Sequence, residues 1–271
     1  MIRKCYPGGK RKAFNITYDD GVEQDVRFIQ LLNFYGLKGT FNLNSELLKK
    51  GFTWVHPCGM EIRRLSQDVV REVYRGHEVA CHTLTHPDLG SLSREQLLWE
   101  MGMDKYYLQE IFGQEICGFA VPFDHYDELA AECARECGFT YVRNSEESHG
   151  YLFKEDLLWQ SAGVFHLSPD FEAYMEGFLE TDQELAFGQV VGHSYDLDTE
   201  QMWETMEELL KRISRDQQVW PATHLEVVEY LQAMKQAQIT DTAVKNGSSQ
   251  TLWFEMDGKI CRVEPGEEYD L

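Results

Sequence analysis

No apolar run in this chain approaches the roughly 18 residues that a bilayer-spanning helix requires, so no helical membrane span is expected. The Cys-x-x-Cys spacing is missing too, and the cysteines are odd in number at seven, which argues against a disulfide framework and against a thiolate metal cluster. Cys133 and Cys137 stand one helical turn apart, as buried free thiols would. Residues 1–9 are basic but lack the apolar segment of a secretory signal, and a cytoplasmic protein is therefore expected. Basic residues are scarce: 25 Lys and Arg face 46 Asp and Glu, a formal charge of −21. A field of that sign repels nucleic acid and anionic membranes, so neither is expected as a partner. There is no internal repeat and no low-complexity tract.

What is present suffices for a folded domain. The 271 residues, 43% hydrophobic, support one large domain with a buried core and room for a small appendage. Aromatic residues make up 13%, which permits a buried interface and leaves a homo-oligomer open.

Strand-like and helix-like segments alternate from the N-terminus. Residues 14–18 read as a buried strand, 25–35 as an amphipathic helix stopped by Gly36, and 38–44 as a second strand. A longer loop holding Trp54, His56, Pro57, Cys58 and Gly59 leads to a helix over 66–75, and 78–81 is a third strand. Ser93, with Gln96 in capping-box register, opens a helix that runs to about Phe112. Further strands are expected over 116–121, 139–142, 159–167, 187–192 and 219–220, with helices over 127–137, 169–179, 199–214 and 223–236. Repetition of this kind implies an α/β fold of parallel strands joined by right-handed crossovers. After about Gln238 the pattern changes to short antiparallel strands, with Asn246-Gly247 and Asp257-Gly258 as hairpin turns and an acidic tail.

The chemistry gathers at strand ends. Thr17-Tyr18-Asp19-Asp20-Gly21 sets two adjacent carboxylates just past apolar residues, where ionised side chains are costly unless paired, hydrogen-bonded or bound to a cation. His82-Thr83-Leu84-Thr85-His86 follows the third strand and offers two imidazoles. One carboxylate with two imidazoles makes a three-ligand site for a zinc-type ion, with a position left open for water, and the second Asp is then free to act as a base. Plainer readings exist for each: Asp-Asp-Gly forms turns, and histidines four apart also occur as two polar residues on one helical turn. The strand over 187–192 ends at His193-Ser194-Tyr195-Asp196. Pro122, Phe123, Asp124 and Tyr126, in the turn after another strand, are expected to line the site. Trp54 and Trp159 are expected in the core or at the rim.

These motifs resemble those of the polysaccharide deacetylases of the NodB-homology type, carbohydrate esterase family four. The family's Thr-Phe-Asp-Asp-Gly stands here as Thr17-Tyr18-Asp19-Asp20-Gly21, its His-Ser/Thr-x-x-His as His82-Thr83-Leu84-Thr85-His86, and its late Leu-x-His as Val191-Gly192-His193. The resemblance covers roughly residues 13–235 and implies a distorted (β/α)7-8 barrel, here over residues 1–237, followed by a small C-terminal antiparallel β appendage over 238–271. It further implies a divalent metal held by Asp20, His82 and His86, with zinc expected ahead of cobalt, nickel, manganese or iron. Asp19 is then the general base and His193 the general acid, and a backbone N–H near Phe123 faces the developing oxyanion. Two departures stand out. Ala120 occupies the place of the Arg that begins the family's third motif, and no Asp-x-x-Asp-Trp follows around Tyr141-Val142-Arg143-Asn144-Ser145. Arg143, at the end of the next strand, is a candidate to supply the missing charge.

The expected activity is metal-dependent hydrolysis of the amide of an N-acetylated sugar or small oligosaccharide. Two alternatives stay open: hydrolysis of non-sugar C–N bonds such as cyclic amides or ureides on the same fold, and a catalytically silent carbohydrate-binding protein.

Overall fold

The computed structural model describes residues 2–49, 52–144, 146–148, 150–153, 160, 163–240 and 242–270. The chain opens with β1 (Ile2–Cys5), β2 (Lys12–Asp19), α1 (Gln24–Phe34) and β3 (Gly39–Leu43). A hairpin of β4 (Thr53–Val55) and β5 (Glu61–Arg63) stands where the sequence suggested a loop. There follow α2 (Gln67–Val73), β6 (Glu78–Cys81), α3 (Arg94–Phe112), β7 (Gly118–Ala120), α4 (Glu128–Glu136) and β8 (Tyr141–Arg143). The series continues through β9 (Val164–Phe165), α5 (Phe171–Glu180), β10 (Ala186–Gly192), α6 (Asp196–Thr199), α7 (Trp203–Arg215), β11 (Val219–Pro221) and α8 (His224–Met234). Five short strands close it: β12 (Ala237–Ile239), β13 (Ala243–Asn246), β14 (Leu252–Met256), β15 (Lys259–Val263) and β16 (Glu268–Asp270).

The main sheet is parallel, in the order β8-β7-β6-β3-β2-β10-β9, with β11 also hydrogen-bonded to β2. Surrounded by its helices, it is the distorted (β/α) barrel expected. Strand period explains how one sheet builds both a core and a site. On β2, Phe14, Ile16 and Tyr18 face the helices and join the hydrophobic core, together with Phe41 and Leu43 of β3, Val79 and Cys81 of β6, Val142 of β8 and Val190 of β10. Among the alternate residues, which point inward, many are polar. Asn15 donates to Thr40, Asn42 to Thr17, Thr40 and Tyr141 both to Glu78, and Gln189 to Asn15. The barrel interior is thus a hydrogen-bonded column, and its upper end carries the charged groups.

Several expectations are corrected. The helix expected over 199–214 begins at Trp203, because α6 and a turn intervene. Of the strand expected over 159–167, Val164–Phe165 is formed, and Trp159 lies outside the described residues. Asn246-Gly247 does not turn a hairpin: β13 pairs with β12 and β16, while Asn246 uses its side chain to hold the carbonyls of Gln250 and Val263. Asp257-Gly258 does turn one, between β14 and β15, with φ of 49° and 78°. The acidic tail contains β16, and β1 pairs antiparallel with β14, so both ends of the chain enter the C-terminal sheets. All seven cysteines are unpaired; Cys5, Cys81 and Cys133 are buried and Cys58 is exposed. Among the described residues no helix is long and apolar enough to cross a membrane.

Candidate active site

A cavity of about 540 Å³ opens where β2, β6, β8 and β10 end, lined by Asp19, Asp20, His82, His86, Phe123, Arg143, Glu147, Phe165, His193 and Tyr195 among others. Its residues come from strand ends by the inward register just described: Asp19 closes β2, His82 follows β6, Arg143 closes β8 and His193 follows β10. Backbone strain collects here. Asp20, Thr83, His86 and Phe123 carry φ of 86°, 67°, 60° and 54°, conformations costing about 1–3 kcal/mol each that persist where surrounding structure fixes them. Gly21 makes the turn after the two aspartates possible, since a Cβ there would lie 2.8 Å from Leu43.

The two aspartates are held by different cations. Asp19 accepts from Arg143 Nη2 and, at 2.6 Å, from Asn42 Nδ2, both on Oδ1. Burial favours its neutral form, but the Arg143 guanidinium and the neighbouring imidazoles outweigh burial and hold Asp19 below the usual carboxylate range. Asp20 Oδ1 accepts from Arg64 Nη2 at 2.9 Å, and Arg64 also reaches Asn44 Oδ1 at 2.6 Å. Here too burial is outweighed, by Arg64 and then by the histidines, and Asp20 is held far below the usual range.

The imidazoles at positions 82 and 86 are prepared as neutral donors. His82 Nδ1 lies 2.9 Å from the carbonyl of Ala120, which fixes Nδ1 as the protonated nitrogen and leaves Nε2 with its lone pair toward the cavity. Burial pushes the His82 ring down to about 4 and lowers His86 as well. The His82 N–H donates to Leu43 and to the buried Asp104, 3.1 Å away on α3, so the residue is anchored through its main chain. Ligand atoms of Asp20, His82 and His86 all lie within 4.8 Å of one another. An ionised carboxylate with two neutral imidazoles is a donor set that fits a divalent cation of the zinc type.

Opposite them stands His193. Its Nε2 lies 3.9 Å from Asp20 Oδ2, its Nδ1 3.0 Å from Asp196 Oδ2, and its ring stacks on Tyr195 at 4.7 Å. Burial alone would lower this imidazole; the Asp196 hydrogen bond and the charges of Asp20 and Asp196 raise it to about 9. Asp196 also accepts from His166 at 3.1 Å, and these contacts carry its own carboxyl down to about 2 against burial.

Residues 7–142 match the model of the family described as polysaccharide deacetylase. The chain belongs to that family. Chitin deacetylase 1 of Cryptococcus neoformans is 25% identical to this polysaccharide deacetylase-family chain over 132 residues, which are 49% of this chain and 25% of that protein, so the match spans a quarter of the relative's length. Among solved structures, a Mycobacterium smegmatis protein classed as a polysaccharide deacetylase superposes with a TM-score of 0.65 at 17% identity, over 89% of this chain and 96% of that one. A Puue allantoinase superposes with a TM-score of 0.62 at 12% identity, over 83% of this chain and 91% of that one. At these identities the structural likeness establishes the fold.

Measured against the family's motifs, the geometry brings Asp19, Asp20, His82, His86, Arg143 and His193 into one cavity. Of the turn after β7, Phe123 lines it; Pro122 is buried, and Tyr126 lines a separate shallow depression with Asp88 and His125. The Asp124 side chain lies outside what the structure describes. Sequence reasoning missed Arg64, Glu147, Phe165 and Asp196 as site residues. Asp196 carried a signal, the short His-x-x-Asp spacing at a strand-to-helix turn; Arg64 carried none, because its contact with Asp20 is made through the unforeseen β4–β5 hairpin. Trp54 belongs to that hairpin and packs edge-on against Tyr195 at 5.7 Å, at the rim.

Proposed function

We propose that this chain is a metal-dependent hydrolase that removes the acetyl group from an N-acetylated sugar or short oligosaccharide, with a second carbon–nitrogen substrate class as its rival. Family membership supports deacetylation, and the observation that carries the chemistry is the pairing of opposites across one cavity: an ionised Asp19 faces a protonatable His193, with Asp20, His82 and His86 beside them. Two carboxylate and imidazole environments pushed in opposite directions mark a base and an acid. A divalent cation held by Asp20, His82 and His86 would supply Lewis-acid polarisation of the acyl oxygen and a lowered pKa for water.

The chain's own residues divide the rest. Arg143 and Asn42 occupy Asp19 Oδ1, so Oδ2 is the oxygen that accepts a proton from the attacking water. His193 holds its Nδ1 proton on Asp196, which leaves the Nε2 proton to be delivered to the departing amine nitrogen. An amine leaves poorly without that proton. Arg143 supplies the charge that the family takes from the position of Ala120, and Asp196 the carboxylate that the family takes from its fourth motif. Phe123, Phe165 and Tyr195 offer apolar walls for a sugar ring. We assign this chemistry to residues 1–237 and a covering role to residues 238–271.

Ureide hydrolysis is the second reading, favoured by Ala120 in place of the family's Arg and by the fold shared with an allantoinase. One experiment decides between them. Protein reconstituted with zinc is assayed on N-acetyl sugars, their oligomers and a set of ureides, beside His82→Ala. Release of acetate and amine by the parent alone, with about one metal per chain, supports deacetylation; ureide turnover without acetate release replaces it. No metal uptake by the parent overturns the metal-dependent deacetylase reading and leaves a metal-independent hydrolase or a binding protein.

A further inference from the structure

We propose that Tyr18 and His166 form a positioning pair behind the active-site sheet, acting through Asp196 to hold His193 in the orientation from which it protonates a leaving amine. The proposal rests on the assignment of His193 as the general acid and extends it to two residues that do not line the cavity.

The argument begins with register. Tyr18 faces away from Asp19, among core residues, and its ring stacks on Phe28 of α1 at 4.5 Å. A Phe would fill that layer as well, and the family's first motif has Phe there; the phenol adds a hydroxyl to an apolar layer. A buried hydroxyl without a partner is costly. Its partner is His166 Nδ1, 2.7 Å away, on the residue after β9. His166 is itself buried, and burial favours its neutral form. The ionised Asp196 can only accept, so His166 donates through Nε2 at 3.1 Å, its Nδ1 accepts, and the Tyr18 hydroxyl donates. The tautomer is thereby fixed.

Asp196 Oδ2 takes three donors: His166 Nε2, the His193 main-chain N–H at 3.3 Å and His193 Nδ1 at 3.0 Å. The chain of contacts runs from the core face of β2 to the acid without a gap. Gly192 records the same constraint from the other side. At φ of 154° on β10, it lies so close to His166 that a Cβ would stand 2.4 Å from the ring's Cε1. The strand leading to the acid has been cleared of a side chain to admit this imidazole.

A residue that positions a general acid has a signature that a packing residue lacks. Amide hydrolysis needs a proton on the leaving nitrogen, whereas an aryl ester releases a phenolate that leaves without one. Tyr18→Phe, which keeps the ring stack, is expected to lower kcat on an N-acetyl sugar about 10-fold with KM and metal content unchanged, the lower end of the scale for outer-shell partners, and to change 4-nitrophenyl acetate hydrolysis less than about twofold. His166→Gln, which retains a donor near the Nε2 position, should keep more amidase activity than His166→Leu. Equal losses on both substrates, or none on either, overturn the proposal. A second readout does not depend on the substrate assigned. The imidazole proton between His193 Nδ1 and Asp196 should give a downfield NMR resonance in the parent that broadens or shifts in Tyr18→Phe. An unchanged resonance overturns the positioning role even if activity falls. A parent inactive on every N-acetyl sugar refutes the functional reading instead, while the resonance still decides the positioning.

Discussion

The two sides of the cavity are held in place by different means. On the side of Asp20, His82 and His86 the histidine segment is held by several contacts in parallel, most of them to its main chain: the Ala120 carbonyl fixes one ring, Asn44 holds the carbonyl of Thr83 at 2.9 Å, and the His82 N–H is tied twice, to Leu43 and Asp104. On the side of His193 the anchors are side chains in series, from Tyr18 through His166 to Asp196. Imidazoles held by several contacts in parallel keep their place when one contact is lost, so that side fails when one of its own donor side chains goes. A site held by a relay degrades in steps.

The largest effect expected is therefore on the first side. His82→Ala should take metal content after zinc reconstitution from about one per chain to nearly none and remove activity with it; elemental analysis would show this, and a mutant that still binds one ion would break the distinction.

Next come the two buried guanidiniums. Removing Arg143 or Arg64 strands a buried carboxylate, a loss of about 3–5 kcal/mol in urea unfolding for each. Zinc separates them, because a cation bound by Asp20 can replace Arg64 but no bound ion replaces Arg143. Added zinc should restore Arg64→Ala well beyond Arg143→Ala, and equal recovery would show that the two aspartates are not divided as proposed.

Smaller again is the effect of Asp196→Asn on the pH profile. In its proposed role as acid His193 must be protonated, so activity is expected to decline as pH rises through its pKa. Losing the Asp196 charge lowers that pKa from about 9, and the alkaline limb of kcat/KM should move to lower pH, while the limb in Asp104→Asn stays put. Least of all, Gly258→Ala, far from the site in the β14–β15 turn at φ of 78°, should lower stability by about 1 kcal/mol and leave kcat/KM unchanged.

The same contrast explains what could be read in the sequence. Contiguous motifs at strand ends, Asp19-Asp20 and His82 to His86, are legible because a single strand delivers both residues of each pair. The barrel was legible for a related reason, since strand-then-helix repetition is local. Arg143 was within reach once Ala120 was seen to leave a charge missing. Arg64 and His166 act across long separations in the chain, and nothing in their local pattern distinguishes a site residue from a surface or core one, whereas Asp196 stands three residues from His193 and was within reach through that spacing. The Asn246-Gly247 turn misled for a physical reason: Asn246 is buried and spends its amide on the carbonyls of Gln250, just before β14, and Val263 of β15, a tertiary use that local turn preference cannot anticipate.

The pairing of β1 with β14, Ile2 opposite Met256, sets an order of events during synthesis. β1 leaves the ribosome long before β14 and must wait, on the order of tens of seconds at about 5–20 residues per second, before its partner exists. Through that interval its backbone edge is open to any other strand. The segment that waits, Ile2-Arg3-Lys4-Cys5, carries two positive charges in an otherwise strongly acidic chain. Like charges side by side discourage two such edges on neighbouring nascent chains from zipping together.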